Sequence, residues 1–248
     1  MSKKGGEGLE EITGRLDARM ARQDYDAAQT LLLIEQQKAR ERGDASTELS
    51  LCNELLGFCR ISGRKELFSQ VLPRTRELLA NVPTSPRSRG TILINAATAL
   101  SAFGRGREAL PLYEQAERSL RQVLPPGDRA FAALYNNAAA CLESLGDFPG
   151  AEREYRAALG IWTRYPHEPD EAVSYVNLAQ LWYGQDPADP RVGEALGRAM
   201  ELLDDPEMLW DGYYAHTAQK CAGAFAAMGR EDLARELRER AEILYEGT

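Results

Sequence analysis

An all-α chain of six helix-turn-helix hairpins stacked as a solenoid is the fold class that this sequence predicts. Three observations carry the prediction. Sliding the sequence by 42 residues superposes Asn95 on Asn137, Gly104 on Gly146, Ala109 on Ala151, Tyr113 on Tyr155 and Ala116 on Ala158. A period between about 20 and 50 residues is the mark of a repeat architecture. Apolar residues recur at spacings of three and four, as in Leu134, Ala138, Leu142 and Leu145, which is helical periodicity. Ala, Leu, Arg and Glu abound while Val and Ile are sparse, a composition that favours helix over sheet.

Taken in order, residues 1–8 are small and polar and are expected to be disordered, and residues 9–248 form one solenoid domain. The first hairpin spans about 9–44 and turns at Gln23-Asp24-Tyr25; its charged first helix suits a terminal cap. The second, about 47–82, turns at Ser62-Gly63-Arg64 and ends in a breaker segment, Asn81 to Arg89, with Pro83 and Pro86. The third, about 88–125, turns at Gly104-Arg105-Gly106. The fourth, about 129–166, is the clearest copy and turns at Leu145-Gly146-Asp147. The fifth, about 170–204, restarts a helix at Glu171 and is expected to have an enlarged turn from Gly184 through Pro190. The sixth, about 207–246, turns at Gly229-Arg230 and closes on a charged helix. Glycine after a helix accepts the left-handed conformation, and Asp147 is placed to cap the helix that follows.

The 248 residues carry a net charge of −8, with 44% hydrophobic and 27% charged residues. An acidic chain argues against nucleic acid as the main partner, because that binding needs clustered Lys and Arg. No stretch approaches the roughly 18 apolar residues of a membrane span, and no apolar leader is seen, so a cytoplasmic protein with no membrane partner is expected. Cys52 and Cys59 lie about 10 Å apart along one helix, too far for a disulfide, which points to free thiols.

The repeated residues resemble tetratricopeptide repeats. In the fourth hairpin Tyr135, Ala138, Ala139, Leu142, Gly146, Phe148, Ala151, Tyr155 and Ala158 stand at the family's intervals. The third matches through Leu93, Ala96, Ala97, Leu100, Gly104, Ala109, Tyr113 and Ala116, and the sixth through Cys221, Ala222, Phe225, Gly229, Ala234 and Ala241. The second and fifth are degenerate, keeping Gly63 in one and Asn177, Leu178, Ala179 and Ala195 in the other. The 42-residue period exceeds the usual 34 or so and is similar to the longer repeat of kinesin light chains.

That resemblance implies a right-handed superhelix whose first helices line a concave, ligand-binding groove. Carried over by position, the groove takes Thr91, Ile94, Asn95 and Thr98 from the third hairpin and Asn136, Asn137, Ala140 and Glu143 from the fourth. The fifth gives Val173, Val176, Asn177, Gln180 and Tyr183, and the sixth His216, Gln219 and Lys220. Asn95, Asn137 and Asn177 share one position and form either an amide ladder for a peptide backbone or a packing feature. The cation pattern by which some members clamp a terminal carboxylate is missing, with Lys220 the one groove cation of the later hairpins.

Catalytic readings find little support. His167 and His216 are not at metal-ligand spacing from a cysteine, and Gly104-Arg105-Gly106 lacks the strand of a dinucleotide loop. Asp186 and Asp189 read as solvated loop acids. The expectation is a non-catalytic protein- or peptide-binding adaptor or scaffold without a cofactor. Alternatives are a peptide-sensing regulator, or an accessory subunit that scaffolds an enzyme or self-associates through its outer surface.

Overall fold

The structure, a computed structural model, describes residues 8–246, so the tail expected at residues 1–8 lies, apart from Gly8, outside the described residues. Among the described residues there are twelve α-helices and no strand, and the all-α repeat solenoid is the fold. The chain divides into two compact units, Met1–Val123 and Leu124–Thr248.

The first unit holds three hairpins: α1 (Leu9–Ala21) with α2 (Tyr25–Glu41), α3 (Ala45–Ser62) with α4 (Lys65–Asn81), and α5 (Pro86–Ala102) with α6 (Gly106–Leu120). The second holds α7 (Arg129–Ser144) with α8 (Phe148–Trp162), α9 (Pro169–Gln185) with α10 (Pro190–Leu203), and α11 (Gly212–Ala227) with α12 (Glu231–Glu246). Each helix packs on its hairpin partner, and the first helices also touch one another: α3 on α5, α7 on α9 and α9 on α11.

Turn chemistry explains the hairpins. At the α7–α8 turn Gly146 has φ of 80°, a left-handed conformation that costs a side-chain-bearing residue about 1 kcal/mol or more. That backbone lets Gly146 N donate to Glu143 O at 2.9 Å and Asp147 N to Leu142 O at 3.0 Å, satisfying carbonyls that a helix end leaves open. Asp147 then caps α8, accepting from Gly150 N at 3.0 Å. In the first hairpin Gln23 takes the left-handed position with φ of 56°, and Asp24 caps α2.

Five residues past these turns sits a small residue that lets the paired helices cross closely. Ala28, Ala109, Ala151 and Ala234 are all completely buried there, and on the first helices Ala97, Ala139, Ala179 and Ala222 are equally inaccessible. In the second hairpin this place belongs to Phe68, fully buried with its ring centroid 4.9 Å from that of Phe103. This swap is why the second repeat is hard to read in sequence.

Three boundaries differ from expectation, and proline explains each. Pro86, Pro169 and Pro190 read as breakers, but each occupies the first turn of a helix. An N-terminal proline loses no helical hydrogen bond and its φ is already helical. Thus α5 starts before Gly90, α9 starts before Glu171, and the fifth turn shrinks to residues 186–189 because Gly184 and Gln185 remain in α9. Asp189 caps α10 through Arg191 N and pairs with the Arg191 guanidinium at 2.6 Å, while Asp186 accepts from Ala188 N.

Candidate functional site: the first-helix faces

In the first unit, the first helices α3 and α5 are joined by an amide pair. Asn95 Nδ2 donates to Asn53 Oδ1 at 2.8 Å. Asn53 also bonds the half-buried Glu54, whose carboxyl burial pushes above the usual range. Thr98 Oγ1 lies 3.1 Å from Tyr113 Oη, Thr91 is exposed and bonds Arg87 O, and Ile94 is half-buried. The polar side chains of this face are therefore largely committed to one another.

The face made by α7, α9 and α11 in the second unit is different. Asn136 Nδ2 donates to Ser174 Oγ at 2.8 Å, and Ser174 Oγ, itself buried, donates to Asp170 O at 3.1 Å. Asn136 Oδ1 is buried with no hydrogen-bond partner. Asn137 and Asn177 are half-buried, and among the described residues neither side chain makes a hydrogen bond. Ala140, Gln180, His216, Gln219 and Lys220 are exposed beside them. Tyr213, exposed at the start of α11, bonds Asp170 on α9.

Glu143, half-buried, accepts from Tyr155 Oη at 3.1 Å. Burial raises its carboxyl above the ordinary value, and the Tyr155 bond only partly offsets this. Glu171 is buried on α9, and burial raises it too, against a weaker pull from Arg198. Both carboxyls are thus easier to neutralise than ordinary glutamates.

Two residues assigned to the groove from sequence lie elsewhere. Val173 and Val176 are buried in the core of the second unit, at 7% and 3% exposure, and so pack the fold instead of facing a ligand. Helix α9 is covered on several sides, so its apolar positions outnumber those of a one-faced helix. Tyr183 is half-buried against the same core.

Sequence reasoning missed Asn53, although it lies 42 residues before Asn95 and the repeat offset could have found it. It also missed Ser174 and Glu171, for which no spacing gave a signal. Trp182 is a core residue: its Nε1 donates to Glu152 at 3.1 Å, with Arg191 4.6 Å and Arg156 5.6 Å from the ring centroid. The four cysteines are buried thiols, and burial pushes Cys59 and Cys221 up to about 12, which disfavours their thiolate forms. Among the described residues no helix is long and apolar enough to cross a membrane.

The sequence model of the Tetratricopeptide repeat family matches residues 130–189. A crystal structure of a Rap protein complexed with Competence and Sporulation Factor is similar over 94% of this chain and 73% of that one, at 14% identity and a TM-score of 0.59. The putative kinesin light chain repeats of Podosopora anserina are similar over 79% of this chain and 94% of theirs, at 20% identity and a TM-score of 0.53. No curated protein matches the chain. Residues 130–189, the fourth and fifth hairpins, thus carry the family's sequence pattern, and along most of the chain the fold resembles the tetratricopeptide-like repeats of kinesin light chains.

Proposed function

We propose that the chain is a non-catalytic protein-binding adaptor that docks an extended segment of a partner on the α7–α9–α11 face. One observation carries the reading: Asn137 and Asn177, half-buried on touching helices, hold amides that no group among the described residues satisfies. A side-chain amide both donates and accepts, so it matches the backbone of an extended peptide. Each such bond contributes about 0.5–1.5 kcal/mol net, so amides set the position while neighbouring contacts supply the rest of the affinity. Gln180, Gln219 and Lys220 are the exposed groups able to add those contacts. The fold relative seen with a bound factor supports the reading, and the buried thiols Cys52, Cys59 and Cys221 suit a cytoplasmic setting.

The test joins capture and mutation. The chain, immobilised, is used to capture partners from native lysate, and the protein recovered is titrated against wild type and the Asn137→Ala/Asn177→Ala double variant. Loss of about tenfold in affinity with unchanged melting supports the proposal. A fall in melting temperature with no change in affinity would make both asparagines packing residues and end it.

A further inference from the structure

On another side of the first unit, away from the joined amides, α4, α5 and α6 enclose a cleft of about 560 Å³. Its floor is apolar, built from Leu79 of α4, Leu93 of α5 and Leu112 of α6. Three arginines from three helices share the lining: Arg76, Arg89 and Arg107. In a chain of net charge −8 such a concentration of cations runs against the average.

Little in the chain neutralises them. Arg107 is exposed and makes no salt bridge among the described residues. Arg89 spends one N–H on the Leu79 carbonyl, 2.8 Å away, which fixes its position without cancelling its charge. Arg76 comes no nearer than 3.9 Å to Glu108, the carboxylate of the lining. Glu108 is already held at two points by Arg105, at 2.7 and 2.8 Å, and this pairing keeps its carboxyl below the usual range. Other acids nearby are engaged too: Glu77 pairs with Arg74 at 2.8 Å and Glu114 lies 3.7 Å from Arg118.

We propose that this cleft is a second docking site, which takes a segment of a partner protein that presents a large apolar side chain flanked by carboxylates. The apolar residue would rest on the leucine floor, and the carboxylates would meet guanidinium groups suited to two-point bonding. The volume lies in the range of about 300–1,000 Å³ usual for ligand sites. Arg76, Arg107 and Pro111 remain exposed at the edge, so the cleft covers one side of its occupant, which suits a peptide chain better than a fully enclosed small molecule. The site is independent of the α7–α9–α11 reading and shares no residue with it.

The probe is a fluorescein-labelled peptide of repeated Glu-Leu-Leu-Glu, titrated against the full chain by anisotropy, beside a counterpart with Lys in place of Glu. The acidic peptide is expected to bind and the basic one not, with affinity falling as salt is raised. The Arg76→Glu/Arg107→Glu variant is expected to weaken binding by about tenfold or more at unchanged helix content. Arg107→Gln, which has no salt bridge to lose, should act in the same direction by a smaller factor. Asn137→Ala/Asn177→Ala should leave this binding unchanged, which separates its failure from that of the first site. The proposal is overturned if the acidic peptide does not bind, if both peptides bind alike, if charge reversal has no effect, or if the asparagine variant abolishes binding. It is also overturned if sodium decanoate alone, and no peptide, shows the arginine dependence, since the cleft would then take a small amphiphile.

Discussion

The two units build the same three-hairpin architecture, yet their first helices treat polar groups in opposite ways. On α3 and α5 of the first unit, Asn95 pairs with Asn53, and Asn53 supports Glu54. Glu48, only 1% exposed, is held by Arg74 at 2.6 and 2.8 Å and by Arg40 at 2.9 Å. On α7 and α9 of the second unit, and among the described residues, Asn136 keeps an unsatisfied oxygen, the side chains of Asn137 and Asn177 make no hydrogen bond, and Glu171 is buried without an ion-pair partner. Unpaired buried polar groups cost stability. The first unit is not free of them, since Gln29 Oε1 on α2 is buried without a partner and burial raises the Glu54 carboxyl, so the contrast is one between the amides of the first helices.

The second unit must compensate elsewhere, and Trp182 is where it does so. Its ring is buried, its N–H is bonded to Glu152, and Arg156 and Arg191 approach its ring. Burial raises the Glu152 carboxyl, but the Trp182 bond and the two arginines together hold it below the usual range. Trp182→Ala is expected to cost about 3–5 kcal/mol, read as a lowered urea midpoint by circular dichroism. A loss below about 1 kcal/mol would mean that the second unit does not depend on this cluster.

In the first unit the matching test is Glu48→Ala, which takes the shared carboxylate from Arg40 and Arg74 and leaves Arg74 only Glu77. Both arginines retain contact with water, at 28% and 48% side-chain exposure, so about 2–3 kcal/mol is expected and not the full effect of a dry pair. The arginines hold the Glu48 carboxyl below its ordinary value. As pH falls the unfolded chain takes up this proton first, so the stabilisation is complete at neutral pH and fades below about pH 5. Wild type and variant should therefore converge in stability as the solution is acidified. Parallel curves would remove the ion cluster from the account.

Most of the fold was legible because local rules recur: a left-handed turn residue in five of the six hairpins, an aspartate cap at Asp24, Asp147 and Asp189, and small residues at most of the places where helices cross. Those rules act within a few residues, so spacing reveals them, as at Gly146, Asp147 and Ala151. Prolines misled the reading because one residue type ends a helix or begins it according to which hydrogen bonds its neighbours need, and Pro86, Pro169 and Pro190 begin theirs. The face was less legible. Helical spacing fixes which way a residue points, but the covering of α9 by α7, α8, α10 and α11 decided that Val173 and Val176 are core. The Asn136–Ser174 pair spans 38 residues instead of the repeat's 42, so no alignment of equivalent positions would find it.

A smaller effect separates the asparagines themselves. Asn95→Ala removes the donor to Asn53 and is expected to cost about 1 kcal/mol, while Asn137→Ala, with no bond to lose, should leave the urea midpoint within experimental scatter. Equal costs at both positions would dissolve the contrast between the two faces and favour packing as the role of each.

The finest test concerns Glu171. Its carboxyl is raised by burial, with Arg198 offering only a weak pull, so the ionised form is a liability in the folded chain. The sign is opposite to that of Glu48. Between the ordinary glutamate value and the raised one, the folded state holds the extra proton, so stability falls as pH rises through that window. Above it the cost is present in full. Glu171→Gln keeps the shape and discards the charge, and at neutral pH it is expected to stabilise the chain by an amount on the order of 1 kcal/mol. The gain should shrink as the pH is lowered towards the ordinary glutamate range, where the wild-type carboxyl is already neutral in the fold. A destabilising substitution at neutral pH would mean that the ionised carboxylate is supported after all, and the second unit would then compensate its buried charge as the first does.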